Sequence, residues 1–503
     1  MAGIGFELKK MFDKKGLFSV LKAYGYAGIV CVGPMILGIA LLLGIRVIAG
    51  VGGATEFEQE YLNAMVTYTL LFSMILTNSF SLVTTRFTAD QLFVEKKGAV
   101  MPSFWGSVSI MLVSGELIYG IFLIFSGVSL GYGLLLLILF GELIIVWTQM
   151  NYMTAIKDYR GIMMTFLVAL LFSWGLGFLL IKLGVEVIFA MLLSVDLAYG
   201  IMATVYYYLL VGYFPKSNTS AFYFLAWFDK YPQLAFLGLF LSLGLFGHII
   251  IMWFSPIRKH IDGLFYGAPM YDIPALLAFL SILVTTINFV TSVEVNFYPK
   301  YRNYFSLFND GGSLMDIRQA EREMKTTLVQ ELTYTFSAQF FSTIVFILAG
   351  TMILPYLPLG MNEDMLGIYR VLCIGYAFYA VGNCGMLIQL YFADNKGALI
   401  SGTSFMLTSI IFTLVLKNQS VKYYGVGFLA GGTVFAFVSL FLLRLFLKKL
   451  IFHVLCNQPI VAEETSGYMT KLGLRFEEKY EKKYRKALWE EEFVRTNEEE
   501  ERE

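Results

Sequence analysis

Three acids sit near the middle of long apolar stretches: Glu116 within 104–127, Glu142 within 131–156 and Asp196 within 187–210. Charge at membrane depth is costly and rare, so each marks a candidate functional position. No lysine or arginine shares that depth, because Arg46 and Arg86 lie near opposite ends of their own stretches. A carboxylate without a partner in a low-dielectric place holds a proton, binds a cation or faces a watery cavity. Two readings stay open. One is a proton- or sodium-responsive site; the other is protonated acids that hydrogen-bond between helices. Glu116 and Glu142 both occur in the tetrapeptide Gly-Glu-Leu-Ile, where the glycine allows close helix approach.

Neutral polar groups form a second set. Gln149, Asn151, Asn288, Gln339, Asn383 and Gln389 fall inside apolar stretches, and Glu294, Tyr298, Tyr301 and Arg302 cluster where one such stretch ends. Amides, hydroxyls and aromatic faces suit a sugar, which offers hydroxyls to bond and apolar ring faces to stack. Tyrosines also form interfacial belts in any membrane protein, so the 31 tyrosines divide between these uses. A third feature is Pro34, flanked by Gly28, Gly33 and Gly38 in the first apolar stretch. Proline there removes a backbone hydrogen bond. The break is either a hinge or a packing kink, and helix breaks are tolerated where neighbours or a cavity satisfy the freed groups.

These residues must be held by helices that cross a bilayer. The chain is 57% hydrophobic and 15% charged with a mean hydropathy of +0.68, whereas soluble domains carry about 25% charge. A crossing helix needs about 20 apolar residues. Twelve stretches qualify: 25–48, 64–87, 104–127, 131–156, 162–182, 187–210, 234–254, 273–298, 335–355, 366–391, 398–416 and 424–447. With both termini cytoplasmic, inside segments hold 21 Lys and Arg against seven outside, which sets that orientation. Net charge is zero, which argues against a nucleic-acid partner. The four cysteines form no CxxC pair and the three histidines are far apart, so no disulfide framework, metal site or cofactor is expected.

Twelve spans divide into two sets of six. "KDYRG" closes the fourth span with Asp158, Arg160 and Gly161, and "ADNKG" closes the tenth with Asp394, Lys396 and Gly397. An even number of spans per half means parallel repeats about an axis along the membrane normal. The expected organisation is therefore an interfacial amphipathic helix at 1–22, a six-helix bundle at 23–213, a linker at 214–233, a second bundle at 234–450 and a charged tail at 451–503. Ser313 followed by Asp316 reads as a capping box that opens an amphipathic helix over 313–333. The tail is either solvated or a docking element for a soluble partner.

The opening "MAGIGFELKK", then "LKAYGYAG", Gly33-Pro34, "RFTADQLF", "KDYRG" and "VEVNFYPKYRNYF" resemble PelG proteins from residue 1 to about 450. The resemblance implies a polysaccharide-flippase-like member of the multidrug/oligosaccharidyl-lipid/polysaccharide exporter superfamily, in the inner membrane, with two six-helix bundles. It also implies a galactosamine-rich exopolysaccharide as substrate. The implied partners are a PelF-like glycosyltransferase, a PelD-like cyclic di-GMP receptor and a PelE-like membrane protein. It transfers no catalytic residue.

The cytoplasmic segments hold no DxD motif, Walker loop or triad and are too short for a catalytic domain, so an enzyme is not expected. The leading expectation is a polysaccharide exporter in which Glu116, Glu142 and Asp196 couple a cation. The alternatives are a multidrug/cation antiporter of the same fold and a non-transporting scaffold for a polysaccharide synthase.

Overall fold

The computed structural model describes residues 36–156, 158–215, 217, 219–309, 311–357, 360–456 and 467–478. The expected helix at 1–22, together with Gly28, Gly33 and Pro34, lies outside the described residues, as does most of the tail. The protein is an all-α polytopic membrane protein. Eleven described helices are long and apolar enough to cross a membrane, and a shorter apolar helix, α1 (Ile36–Val51), precedes them. The first predicted span thus begins outside the described residues and ends within α1.

Two compact units are present. The division falls after Met65 and again after Leu239. One unit comprises residues 66–239 with the described part of the tail. It contains most of α2 (Glu56–Phe93), then α3 (Val100–Phe125), α4 (Leu130–Ile156), α5 (Tyr159–Lys182), α6 (Val187–Tyr213) and the short α7 (Ala226–Lys230). Tight turns at Gly127 (φ 80°) and Gly184 (φ 86°) join α3 to α4 and α5 to α6, a left-handed conformation that glycine adopts without strain. The tail helix α17 (Tyr468–Glu478) belongs to this unit. The Asp229 carboxylate accepts from Met469 N (3.2 Å), Thr470 N (2.7 Å) and Thr470 Oγ1 (2.7 Å), so a side chain of α7 caps α17.

The other unit takes residues 36–65 and 240–456 from the described chain. After α8 (Pro232–Met252) comes a hairpin of β1 (Lys259–Asp262) and β2 (Phe265–Gly267), which pair antiparallel with Lys259 opposite Gly267. Sequence analysis missed it, although Asp262-Gly263 is a hairpin signal. Next, α9 (Pro269–Phe279), α10 (Leu283–Ser292) and α11 (Tyr298–Asn309) follow one another as a single interrupted path. A 3-10 turn at Leu280–Ile282 separates the first two and a π turn at Val293–Phe297 the last two. Pro299 explains the second interruption: it has no N–H for the carbonyl of Val295, so the helix widens there.

The sequence expected an amphipathic helix over 313–333 and a separate span over 335–355. The structure joins them in one 40-residue helix, α12 (Leu314–Ile353), because nothing between them breaks the helix. Its start is as expected, with Ser313 Oγ accepting from Asp316 N at 3.2 Å. The unit ends with α13 (Glu363–Tyr391), α14 (Asn395–Leu416), α15 (Val426–Lys448) and α16 (Leu450–Cys456). Close approach of α13 and α15 depends on small residues, since a Cβ at Gly432 would stand 2.7 Å from the carbonyl oxygen of Gly375.

The two five-residue motifs are the same device. Asp158 (φ −86°, ψ 66°) caps α5 by accepting from Gly161 N at 2.9 Å. Asp394 (φ −79°, ψ 68°) caps α14 by accepting from Gly397 N at 3.0 Å. A side chain at either glycine would press on the capping carboxylate: a Cβ at Gly161 would meet Asp158 Oδ2 at 2.6 Å, and one at Gly397 would meet the Asp394 carboxylate as closely or closer.

Candidate functional site: an unpartnered acidic seam

Packing of α4 against α6 brings two of the three predicted acids together. Asp196 and Gly200 lie one turn apart on α6 and so share a face. Glu142 of α4 fills the space over that face, since a Cβ at Gly200 would lie 2.9 Å from Glu142 Oε1. Both carboxylates therefore lie along the contact between α4 and α6. Seven residues further along α4, Gln149 donates from Nε2 to the carbonyl of Ala203 on α6 at 2.8 Å. The seam therefore runs Glu142, Gln149 on one helix and Asp196, Gly200, Ala203 on the other.

What sets the seam apart is the lack of donors. Asp196 is 4% exposed, and neither of its carboxylate oxygens has a hydrogen-bond partner among the described residues. Glu142 Oε2 and Gln149 Oε1 are likewise buried without partners. An ionised carboxylate left so costs several kcal/mol in a dry interior. Protons or cations remove that cost, so the occupancy of the seam is tied to its access to water.

Glu116 is positioned differently. It reaches from α3 to the backbone of α4, where a Cβ at Gly141 would lie 2.5 Å from Glu116 Oε1. Its Oε2 is buried without a partner. Gly141 and Glu142 point about 100° apart around α4, so Glu116 sits beside the seam on a different face.

In the other unit, three of the polar groups singled out, Gln339, Gln389 and Tyr301, are engaged by the fold. Gln339 receives the Thr285 hydroxyl at Oε1 and donates from Nε2 to the Ser281 carbonyl (3.2 Å) and Thr343 Oγ1 (3.0 Å). Gln389 donates to the Ser439 carbonyl at 3.2 Å and accepts from Ser401 Oγ at 3.3 Å. Tyr301 is packed among Phe305, Tyr391 and Phe392 in an aromatic cluster, with its ring 4.5 Å from Phe305 and 4.7 Å from Tyr391. Asn288 is buried on α10, Asn383 half-buried on α13 and Asn151 half-buried on α4. Tyr298 is half-exposed and Arg302 exposed on α11. Glu294 lies in the π turn, and its side chain lies outside the described residues. Gly38 has open space beside it among the described residues.

One group escaped the sequence reading. Thr291, Ser292, Val295 and Asn296 face Gln330, Glu331 and Tyr334 of α12 across a cleft of about 430 Å³. Pro299 was the available signal, because a proline inside an apolar run marks a disturbed turn.

The arrangement of helices is similar to that of several solved transporters. It aligns with a MOP superfamily transporter from Pyrococcus furiosus at a TM-score of 0.56 and 12% identity, over 84% of this chain and 96% of that one. It aligns with a MATE structure in complex with MaL6 at 0.57 and 13%, over 85% and 97%. A MATE family transporter described as inward-facing aligns at 0.53 and 13%, over 90% and 99%. These likenesses show the fold that the chain shares with those structures. No curated protein matches the sequence. Residues 1–455 match the family described as "PelG: Putative exopolysaccharide Exporter (EPS-E)", and the chain belongs to that family.

Proposed function

We propose that this protein carries a Pel-type, galactosamine-rich exopolysaccharide from the cytoplasm across the bacterial inner membrane, with both termini cytoplasmic. The Glu142–Asp196 seam couples the movement to a proton or sodium ion, and Glu116 tunes it from the adjacent face. The observation that carries the coupling is the buried Asp196 carboxylate without described donors, beside the equally unpartnered Oε2 of Glu142, since a group that must change occupancy to be tolerated can bias a conformational equilibrium. Family membership supports the polymer as cargo. The chain itself performs no chemistry in this reading. A PelF-like glycosyltransferase makes the polymer, and PelD-like and PelE-like proteins supply cyclic di-GMP control and membrane assembly.

The test is a deletion strain complemented with wild type or with Glu142→Gln/Asp196→Asn. Secreted polymer, intracellular polymer and dye efflux are measured together, with protein levels in the membrane checked. Export predicts polymer retained inside unless wild type is supplied, and a response of wild-type secretion to external pH or sodium that the double variant lacks. Normal secretion with impaired dye efflux replaces the reading by a drug antiporter. Full rescue by the double variant removes the coupling role and favours a scaffold.

A further inference from the structure

We propose that the cleft between the π turn and α12 is a saccharide-binding subsite, with Tyr334 as its stacking platform and the Asn296–Glu331 pair as its polar clamp. The inference deepens the export reading and rests on it for the nature of the cargo.

Several observations converge. At about 430 Å³, the cleft is within the range that binds small organic ligands. Its lining mixes hydroxyls (Thr291, Ser292), amides (Asn296, Gln330), one carboxylate (Glu331) and one aromatic ring (Tyr334). That is the complement of a sugar, which presents hydroxyls at its rim and C–H groups on its faces. Asn296 Nδ2 donates to Glu331 Oε1 at 2.7 Å, which fixes both side chains at the cleft. The second carboxylate oxygen and the amide carbonyl remain to accept from sugar hydroxyls. Tyr334 is 56% exposed, so its ring is open to stacking rather than spent on the core.

The fold also explains why the cleft exists. The π turn is forced by Pro299, and the extra residue it holds brings Val295 and Asn296 to the cleft. Such single wide turns recur at functional sites. The walls are pinned beside it, because Lys300 Nζ of α11 lies 2.8 Å from Glu323 Oε2 of α12. On α12 the cleft residues fall where the charged segment gives way to the apolar one, the level at which a polymer would enter or leave the membrane. Neither a metal nor an anion is favoured by one carboxylate already bonded to an amide.

The experiment uses the full chain in lipid nanodiscs and an N-acetylgalactosamine tetrasaccharide as probe. Wild type should bind it saturably. Tyr334→Leu should weaken binding at least tenfold, Tyr334→Phe should keep it within about threefold because the ring remains, and Asn296→Ala should weaken it several-fold. Thermal unfolding of each variant verifies that it is folded. No binding by wild type, or equal binding by wild type and a folded Tyr334→Leu, overturns the subsite. Complementation separates this from the export reading. Secretion by cells lacking the chain defeats export. Secretion that needs the chain yet is indifferent to Tyr334→Leu defeats only the subsite.

Discussion

Asp272 and Asp196 are both acids on apolar helices, and the protein treats them in opposite ways. Asp272, in α9, accepts from Ala268 N at 2.9 Å and from the Trp253 indole at 3.1 and 3.2 Å. Asp196, in α6, accepts from nothing described. The first is a structural acid, which closes the start of a helix and ties it to α8. The second has no donor among the described residues, the feature on which the proposed coupling role rests. Elsewhere the pattern of Asp272 is the rule: Asp90 meets the Trp227 indole and Arg86, and Asp229 caps α17. Position on an apolar helix does not separate the two acids; the presence or absence of described donors does.

The strongest way to break this comparison is to neutralise each acid in turn. Glu142→Gln with Asp196→Asn should reduce secreted polymer at least tenfold while the thermal midpoint holds or rises, because amides shed the cost of a buried charge. Asp272→Ala should do the reverse. It strands the Ala268 N–H and the Trp253 indole, at about 1–3 kcal/mol each where buried, and lowers the midpoint by several degrees while retained protein still exports. Equal export loss from both changes would erase the distinction. A double-amide variant that unfolds would make the seam structural.

A second comparison concerns packing. Gly432→Leu forces side-chain atoms into the Gly375 carbonyl and should cost about 1–3 kcal/mol of stability, visible as a lower thermal midpoint. Gly38→Leu, with open space beside it, should leave the midpoint unchanged. A large effect at Gly38 would mean that the first helix packs tightly and needs its glycine.

The number and placement of spans were legible because a twenty-residue apolar run has few other uses. Eleven of the twelve predicted spans meet a described apolar helix within a few residues, apart from the extensions of α2, α11 and α12. The joining of 313–333 to the next span was not legible, since an amphipathic pattern and an apolar one differ in surroundings while both favour helix. The three acids were visible as charges out of place, but which two face each other was not. That depends on the rotation of α4 against α6, set by Gly200. The amides misled for a related reason. Gln339 and Gln389 look available in sequence, yet each donates to a backbone carbonyl and accepts from a hydroxyl on a neighbouring element. Periodicity shows which face a residue occupies and leaves its partners unstated.

The smallest effect tests the internal repeat itself. If α5 and α14 begin by the same device, removing each cap should cost the same. Asp158→Ala and Asp394→Ala each lose one carboxylate bond to a backbone N–H, which is worth about 1 kcal/mol at a helix start. The thermal midpoints of the two variants should fall together, and the double variant should show the sum, as expected for independent sites. Asn at either position keeps the acceptor and should restore most of the loss. Alanine at Gly161 or Gly397 should hurt as much as alanine at the Asp, because the new Cβ drives into the cap it would leave intact. If one cap proves silent while the other is costly, the repeat is one of letters, and the two helix starts have come to serve different loads.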